Sequence, residues 1–282
     1  MSVGITLLLL VAALTHAVWN AFVKDSRDPV AMASWAYAAA GLPFAPLMFF
    51  LPVLPPEGWV LMAIHLVLHL IYKIVLVQMY RTGDLSQVYP VARGVTPLLV
   101  TLIAIPAASE LPPPVAVTGI AVVSAGLMVF AAEPGALARA RIAPLAYAFG
   151  AGIVASAYLV VDGLGVRLPG YFLSYMVTLL VLDGVTMAVL GLVWRGRDLG
   201  PAMIAEWRRG VLTAVLSIVS FVIALWVVSF TAMGPVSAVR ETSVVFAAII
   251  GAAFMGEAFG RRRILGAAVI ALGIVLVNWP TP

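Results

Sequence analysis

Polar residues are few and clustered along this chain, and long apolar stretches separate the clusters. Runs of some twenty apolar residues lie at approximately 3–23, 30–52, 58–80, 84–107, 112–132, 143–163, 169–193, 209–232, 235–256 and 263–279. That is the length a helix needs to cross a bilayer core of about 30 Å. Stretches such as "ILGAAVIALGIVLVNW", from Ile264 to Trp279, show none of the alternation of barrel strands. The pattern predicts an all-α polytopic membrane protein with about ten transmembrane helices, short loops and no soluble domain. The first run has no basic segment before it and no clear small-residue cleavage site, so it reads as a retained span rather than a signal peptide.

Composition agrees: 63% of residues are hydrophobic and 10% charged, against roughly 45–50% and 25% in soluble domains. Cysteine is absent, which excludes disulfides and thiolate metal sites. The formal charge of +4 matters less than its placement. Twelve of the 16 Lys and Arg residues fall in the odd-numbered connections: Lys24, Arg27, Arg81, Arg139, Arg141, Arg195, Arg197, Arg208, Arg209 and Arg261 to Arg263. Positive loops stay on the cytoplasmic side, so this count puts both termini outside a cell (inner) membrane that the chain crosses many times.

The two halves repeat. "ARGVTPLLVTLIAIPAASE", ending at Glu110, matches "VRETSVVFAAIIGAAFMGE", ending at Glu257, without a gap, placing Arg93 on Arg240 and Thr96 on Ser243. The same offset carries Gly119 onto Gly266 and Gly126 onto Gly273, while upstream "GDLSQV" matches "GPVSAV" with about one helical turn more in the first half. Five spans per half force the second copy to enter the membrane from the opposite side. The expected organisation is an N-terminal repeat over 1–135 and an inverted C-terminal repeat over 136–282, joined around 133–141. Inverted repeats of this kind place a substrate site near the midplane, beside interrupted helices.

"HAVWNAFVK", "GDLSQVYPVARGVTPLL", "VVDGLGVR" and "RETSVVFAAIIGAAFMGE" resemble the drug/metabolite transporter superfamily in its ten-span, EamA-like branch. The resemblance runs over nearly the whole chain. It implies a five-plus-five inverted repeat and alternating access, with substrates among amino acids, other metabolites and amphiphilic cations. It also implies export and, unlike the charge count, cytoplasmic termini.

Ionisable residues inside spans are costly and mark functional candidates. In the third span His65, His69 and Lys73 recur every four residues, with Tyr72 and Tyr80 close to the same face. The repeat-related eighth-span positions are Leu216, Ser220 and Ala224, so this basic face exists in one half only. It suits a ligand or proton path, or an interhelical network, and makes protons a candidate coupling ion. Two histidines at i and i+4 also fit a metal, but the local sequence offers no third ligand, so neither metal nor cofactor is expected. His16, Trp19 and Asn20 share one side of the first span and offer a ring and an amide to a polar substrate, or pack. Asp183 sits in mid-span and needs a proton or a partner, which Lys73 or a histidine would supply. Tyr37, Tyr158, Asp162 and Trp226 complete the set, Tyr158 being the repeat partner of His16. Arg93 and Arg240 either clamp a carboxylate or phosphate or serve the architecture. Glu241 can neutralise Arg240, whereas Arg93 needs a partner from another helix. Glu110 and Glu257 read as helix-end architecture.

These residues point to a secondary transporter, an exporter of a small polar metabolite such as an amino acid or related organic anion, working around a midplane cavity. The chain carries no phosphate-binding Gly-rich motif, so a gradient supplies the energy. The partners expected are a small-molecule substrate and the lipid bilayer; nothing points to nucleic acid. The small-residue fifth and tenth spans suit internal packing or dimerisation, leaving monomer or homodimer open. Seven tryptophans and eight tyrosines leave a multidrug or quaternary-cation exporter as the alternative. An intramembrane enzyme acting on a lipid-linked substrate is the remaining one. Pro90 and Pro97 remove amide donors from the fourth span, which predicts that this span bends beside the cavity while the ninth stays straighter.

Overall fold

The computed structural model describes residues 1–82, 85–131, 142–254 and 260–280, with side chains for all of these except 76–82, 85–90 and 131. The side chains of Tyr80 and Pro90, together with Glu257 and the segment 133–141, lie outside the described residues. All regular structure among the described residues is helical, and it follows the apolar runs within a few positions. The helices are α1 (Val3–Lys24), α2 (Pro29–Phe49), α3 (Pro56–Thr82), α4 (Leu85–Ala108), α5 (Pro114–Ala131), α6 (Ile142–Gly165), α7 (Phe172–Arg195), α8 (Trp207–Val228), α9 (Met233–Phe254) and α10 (Arg261–Val277), with a short helix, Leu199–Ala205, before α8. Eight of them are long and apolar enough to cross a membrane, and the chain is a multi-pass membrane protein. Pro29, Pro56 and Pro114 each open a helix, where the missing N–H has no partner to lose.

The shortest two, α5 and α10 with 18 and 17 residues, form the most intimate pair. A Cβ on Gly273 would stand 2.7 Å from the Val123 nitrogen and 2.8 Å from the Gly119 carbonyl oxygen, so the backbones meet where neither carries a side chain. Ile120, Val123, Leu127 and Phe130 of α5 interlock with Ile270 and Val277 of α10 in one buried cluster. In lipid the gain comes from this close packing rather than from removal of water. The other helices pack mostly across the chain: α3 along α6, α4 against α6 and α9, α1 against α8 and α9, and α2 against α7.

Charged groups fasten the helix ends. On one face Arg167, after α6, pairs with Glu110 at the end of α4 and donates to the carbonyls of Val228 (2.9 Å) and Thr231 (2.7 Å), while Glu110 accepts from the Met233 N–H at 2.7 Å. On the opposite face Arg195 of α7 pairs with Asp28, and Arg209 of α8 with Asp25 at 2.7 Å. Asp28 also caps α2, accepting from the Val30 and Ala31 N–H groups, each at 3.1 Å.

Two helices are interrupted. In α2 an α-helical turn (Pro29–Ser34) gives way to a wide π turn (Trp35–Ala39) and then a tight 3₁₀ stretch (Leu42–Phe49). Pro43 has no N–H to give the Ala39 carbonyl, so the regular ladder cannot continue there. In α9 the helix stops at Arg240 and restarts at Ser243. This corrects the expectation from the prolines, since α4 is helical without a break through Pro97 whereas α9 carries the interruption. Pro97 is tolerated in a helix whose neighbouring turns are tied by Thr96 and Thr101, which donate to the carbonyls of Ala92 and Pro97, both at 2.8 Å. In α9 the bonds tighten to i→i+3 spacing, Val244 to Glu241 (3.1 Å) and Val245 to Thr242 (2.9 Å), and the Thr242 hydroxyl holds the Val239 carbonyl at 2.7 Å. Hydroxyl competition thus breaks α9 with no proline at the break.

Gly273→Leu should force α5 and α10 apart and cost about 1–3 kcal/mol in unfolding measured in detergent; Gly4→Ala, with open space around it, should be neutral. At Asp28, burial pushes the carboxyl up, but the Arg195 guanidinium and the backbone N–H groups outweigh it and hold the group below its ordinary range. Its contribution is therefore complete above about pH 4 and lost as pH falls through the lowered value. An acid titration of melting temperature should show this loss in the wild type and not in Asp28→Asn.

Candidate functional site

A cavity of about 250 Å³ lies among α1, α2, α3, α4, α6, α7, α8 and α9. On α1, His16 and Trp19 stand edge to face at 5.0 Å, and Asn20 donates to the His16 carbonyl at 2.8 Å while still lining the space. The π turn of α2 brings Tyr37 to the cavity, 6.1 Å from both the Trp19 ring and the His69 ring. Tyr158 of α6 follows, 5.1 Å from His69, 5.8 Å from His65 and 5.6 Å from Tyr72. One aromatic wall therefore runs across four helices. It is built largely of edge-on contacts, which the ring quadrupoles favour.

Behind this wall sits a buried polar cluster. Asp183, in the middle of α7, has Oδ1 2.7 Å from His69 Nδ1 and Oδ2 3.4 Å from His65 Nε2. Lys73 Nζ is 3.8 Å from the same Oδ1 and lies over the Tyr37 ring, 5.4 Å from its centre. Asp162 of α6, one turn beyond Tyr158, reaches His65 Nδ1 at 2.6 Å as an ion-pair contact without hydrogen-bond alignment. The partners that Asp183 requires, Lys73 and a histidine, are thus both present. An isolated charge at this depth would be prohibitive; two carboxylates, an ammonium and two imidazoles compensate one another.

The far wall carries the arginines. Arg93 of α4 pairs with Glu241 at 3.4 Å, because the α9 break turns this buried carboxylate toward α4. Glu241 was expected to neutralise its neighbour Arg240. Instead it gives Arg93 a partner from another helix, and Arg240 lines the cavity with no ion pair within 4 Å among the described residues.

Of the residues singled out from the sequence, His16, Trp19, Asn20, His65, His69, Tyr72, Tyr158, Asp183, Arg93, Arg240 and Glu241 border the cavity. Lys73 stands behind it, and Pro97 is buried within α4. Trp226 is corrected: it lies on the outer surface of α8, 46% exposed and stacked edge-on against Phe230, because its helical position faces away from the bundle. Tyr37 and Asp162 are more central than their sequence suggested. Their signals were Pro43, four residues after Ala39, and the i, i+4 spacing of Tyr158 and Asp162.

Asp183→Asn leaves the Lys73 ammonium without its carboxylate and should cost about 3–5 kcal/mol in detergent unfolding. Adding Lys73→Met should recover part of that loss; a double variant no more stable than the single one would show that the two charges are not coupled.

Residues 142–279 match the family model described as the EamA-like transporter family. No curated protein matches the sequence. Among the solved structures, 28 chains match the fold. One of them, titled only "Crystal structure of protein", superposes with a TM-score of 0.70 over 98% of both chains at 15% identity, a likeness of fold alone. Through this second half, the chain is similar to the EamA-like transporter family of the drug/metabolite transporter superfamily.

Proposed function

We propose that this membrane transporter exports a small anionic or zwitterionic metabolite, an amino acid or related organic acid, from a cell whose inner membrane it spans. The observation that carries the reading is Arg240, a guanidinium on the cavity wall without an ion pair within 4 Å among the described residues. It is placed to take a carboxylate through paired N–H donors. Of the charges at the cavity, Arg93 is matched to Glu241, and the carboxylates of Asp162 and Asp183 are matched to the His and Lys side chains. The unmatched charge is positive. The volume, about 250 Å³, falls below the roughly 300–1,000 Å³ of drug-sized sites, which supports a small cargo over a multidrug one.

Alternating access by two inverted repeats, 1–135 and 136–282, is the mechanism in this reading. Exchanging the halves turns the α3–α6 contact into α8–α1 and leaves the α2–α7, α4–α9 and α5–α10 pairs unchanged, and all of these contacts are present. Rocking would then open one charged clasp, Arg167 with Glu110, or the other, Arg195 with Asp28 and Arg209 with Asp25. The α5–α10 pair stays packed throughout, and it is satisfied within one chain, which supports a monomer as the working unit. A substrate gradient or a proton gradient supplies the energy.

The aromatic wall favours one second reading, a quaternary-ammonium exporter in which these rings surround the cation. Proteoliposome assays separate the two. Wild-type protein should carry a small carboxylate, and Arg240→Gln should raise its KM about 10–100-fold, the worth of one charge-assisted hydrogen-bond pair. Carriage of a quaternary ammonium but no carboxylate, with Arg240→Gln harmless, would reverse the assignment.

A further inference from the structure

Taken alone, the pair His65 and His69 lacks a third ligand, and the fold supplies one. Asp183 comes from α7 to a point where one ring nitrogen of His65, one of His69 and a carboxylate oxygen all lie within 4.8 Å of one another, with all three side chains buried. We propose that these three residues bind one divalent first-row transition-metal ion, with Asp162 orienting His65.

Ligand atoms in a tetrahedral site with bonds of about 2.0–2.2 Å sit roughly 3.4 Å apart. His65 Nε2 and Asp183 Oδ2 already stand at 3.4 Å. His69 Nδ1 and Asp183 Oδ1, at 2.7 Å, share a proton that an entering ion displaces. A metal-bound imidazole commonly donates its other N–H to a carboxylate, a carbonyl or water, and His65 Nδ1 has Asp162 Oδ1 at 2.6 Å. That contact lacks hydrogen-bond alignment on both sides, so the atoms are close but not satisfied. Drawing Nε2 toward an ion rotates the ring and gives the contact a function.

The donor set selects the ion. Two imidazoles and one carboxylate suit zinc, cobalt, nickel or iron, whereas calcium and magnesium require oxygen shells that this cluster lacks. Three protein ligands leave a fourth position open, and His65, His69 and Asp183 all border the cavity. That open position faces the space available to small molecules.

The groups facing the site are Asp162 from α6, Lys73 on α3 at 3.8 Å from Asp183, and the Tyr37 and Tyr158 rings. With neutral imidazoles the two carboxylates and the ammonium leave one net negative charge. A divalent ion overcompensates it.

The test uses full-length protein purified without a histidine tag, titrated with Co²⁺ alone and followed by its visible ligand-field absorption, with Zn²⁺ displacement measured by calorimetry. One Co²⁺ per chain with a tetrahedral spectrum is expected. Asp162→Asn should weaken binding about 10–100-fold at the same stoichiometry, and His69→Gln should abolish the spectrum. Protein that shows intact secondary structure yet binds no Co²⁺, or binds it equally well after His69→Gln, would overturn the assignment and leave the cluster as a proton-holding network. The outcome is independent of which substrate is carried.

Discussion

The Asp183 carboxylate, buried in mid-helix among helices that cross a membrane, is the constraint around which the rest is arranged. Left unpaired in that setting it could not remain ionised, and its compensation comes from a different helix. His65, His69 and Lys73 are spaced every four residues on α3 so that one face of that helix meets α7. The same histidines hold α6, through Asp162 and the face of Tyr158. Three helices are thereby fixed by polar contacts where lipid offers little hydrophobic reward for helix association. Elsewhere shape does this work, as in the glycine contacts of α5 with α10.

Irregular backbone at membrane depth is tolerated where it lines a cavity, and both interruptions lie there. The π turn of α2 brings Tyr37 into line between Trp19 and His69. The break in α9 sends Glu241 to Arg93 and leaves Arg240 toward the cavity. The interruptions are thus devices that re-aim two side chains. A regular helix would present residues 240 and 241 about 100° apart on its surface, and the break is what lets one pair across to α4 while its neighbour lines the open space.

The hydrophobic pattern carried the number and limits of the spans, because a bilayer permits little else for runs of this length. It also carried the ionisable and most of the aromatic side chains of the cavity lining, since a charged residue inside such a run must face inward. What it did not carry were the contacts between runs. Asp162 and Asp183 come from consecutive helices and are joined only through His65, because α6 and α7 both pack on α3. Trp226 belongs to an apolar run and faces outward, and aromatic identity alone does not tell a lining ring from an outer one. The prolines of α4 pointed to a bend in that span and gave no sign of the interruption in α9, because a proline removes one hydrogen bond that neighbouring threonines can offset, whereas the Thr242 hydroxyl breaks a helix that contains no proline at that point.

The central claim is that one cavity, bounded by both halves, opens alternately to the two sides of the membrane. The absence of cysteine makes the claim directly measurable. A single cysteine at Ala155, on the cavity wall, can be labelled in sealed vesicles of either orientation with a membrane-impermeant maleimide. Labelling from both sides, slowed from each by transported substrate, is the predicted result. Labelling from one side only, unaffected by substrate, would contradict the account.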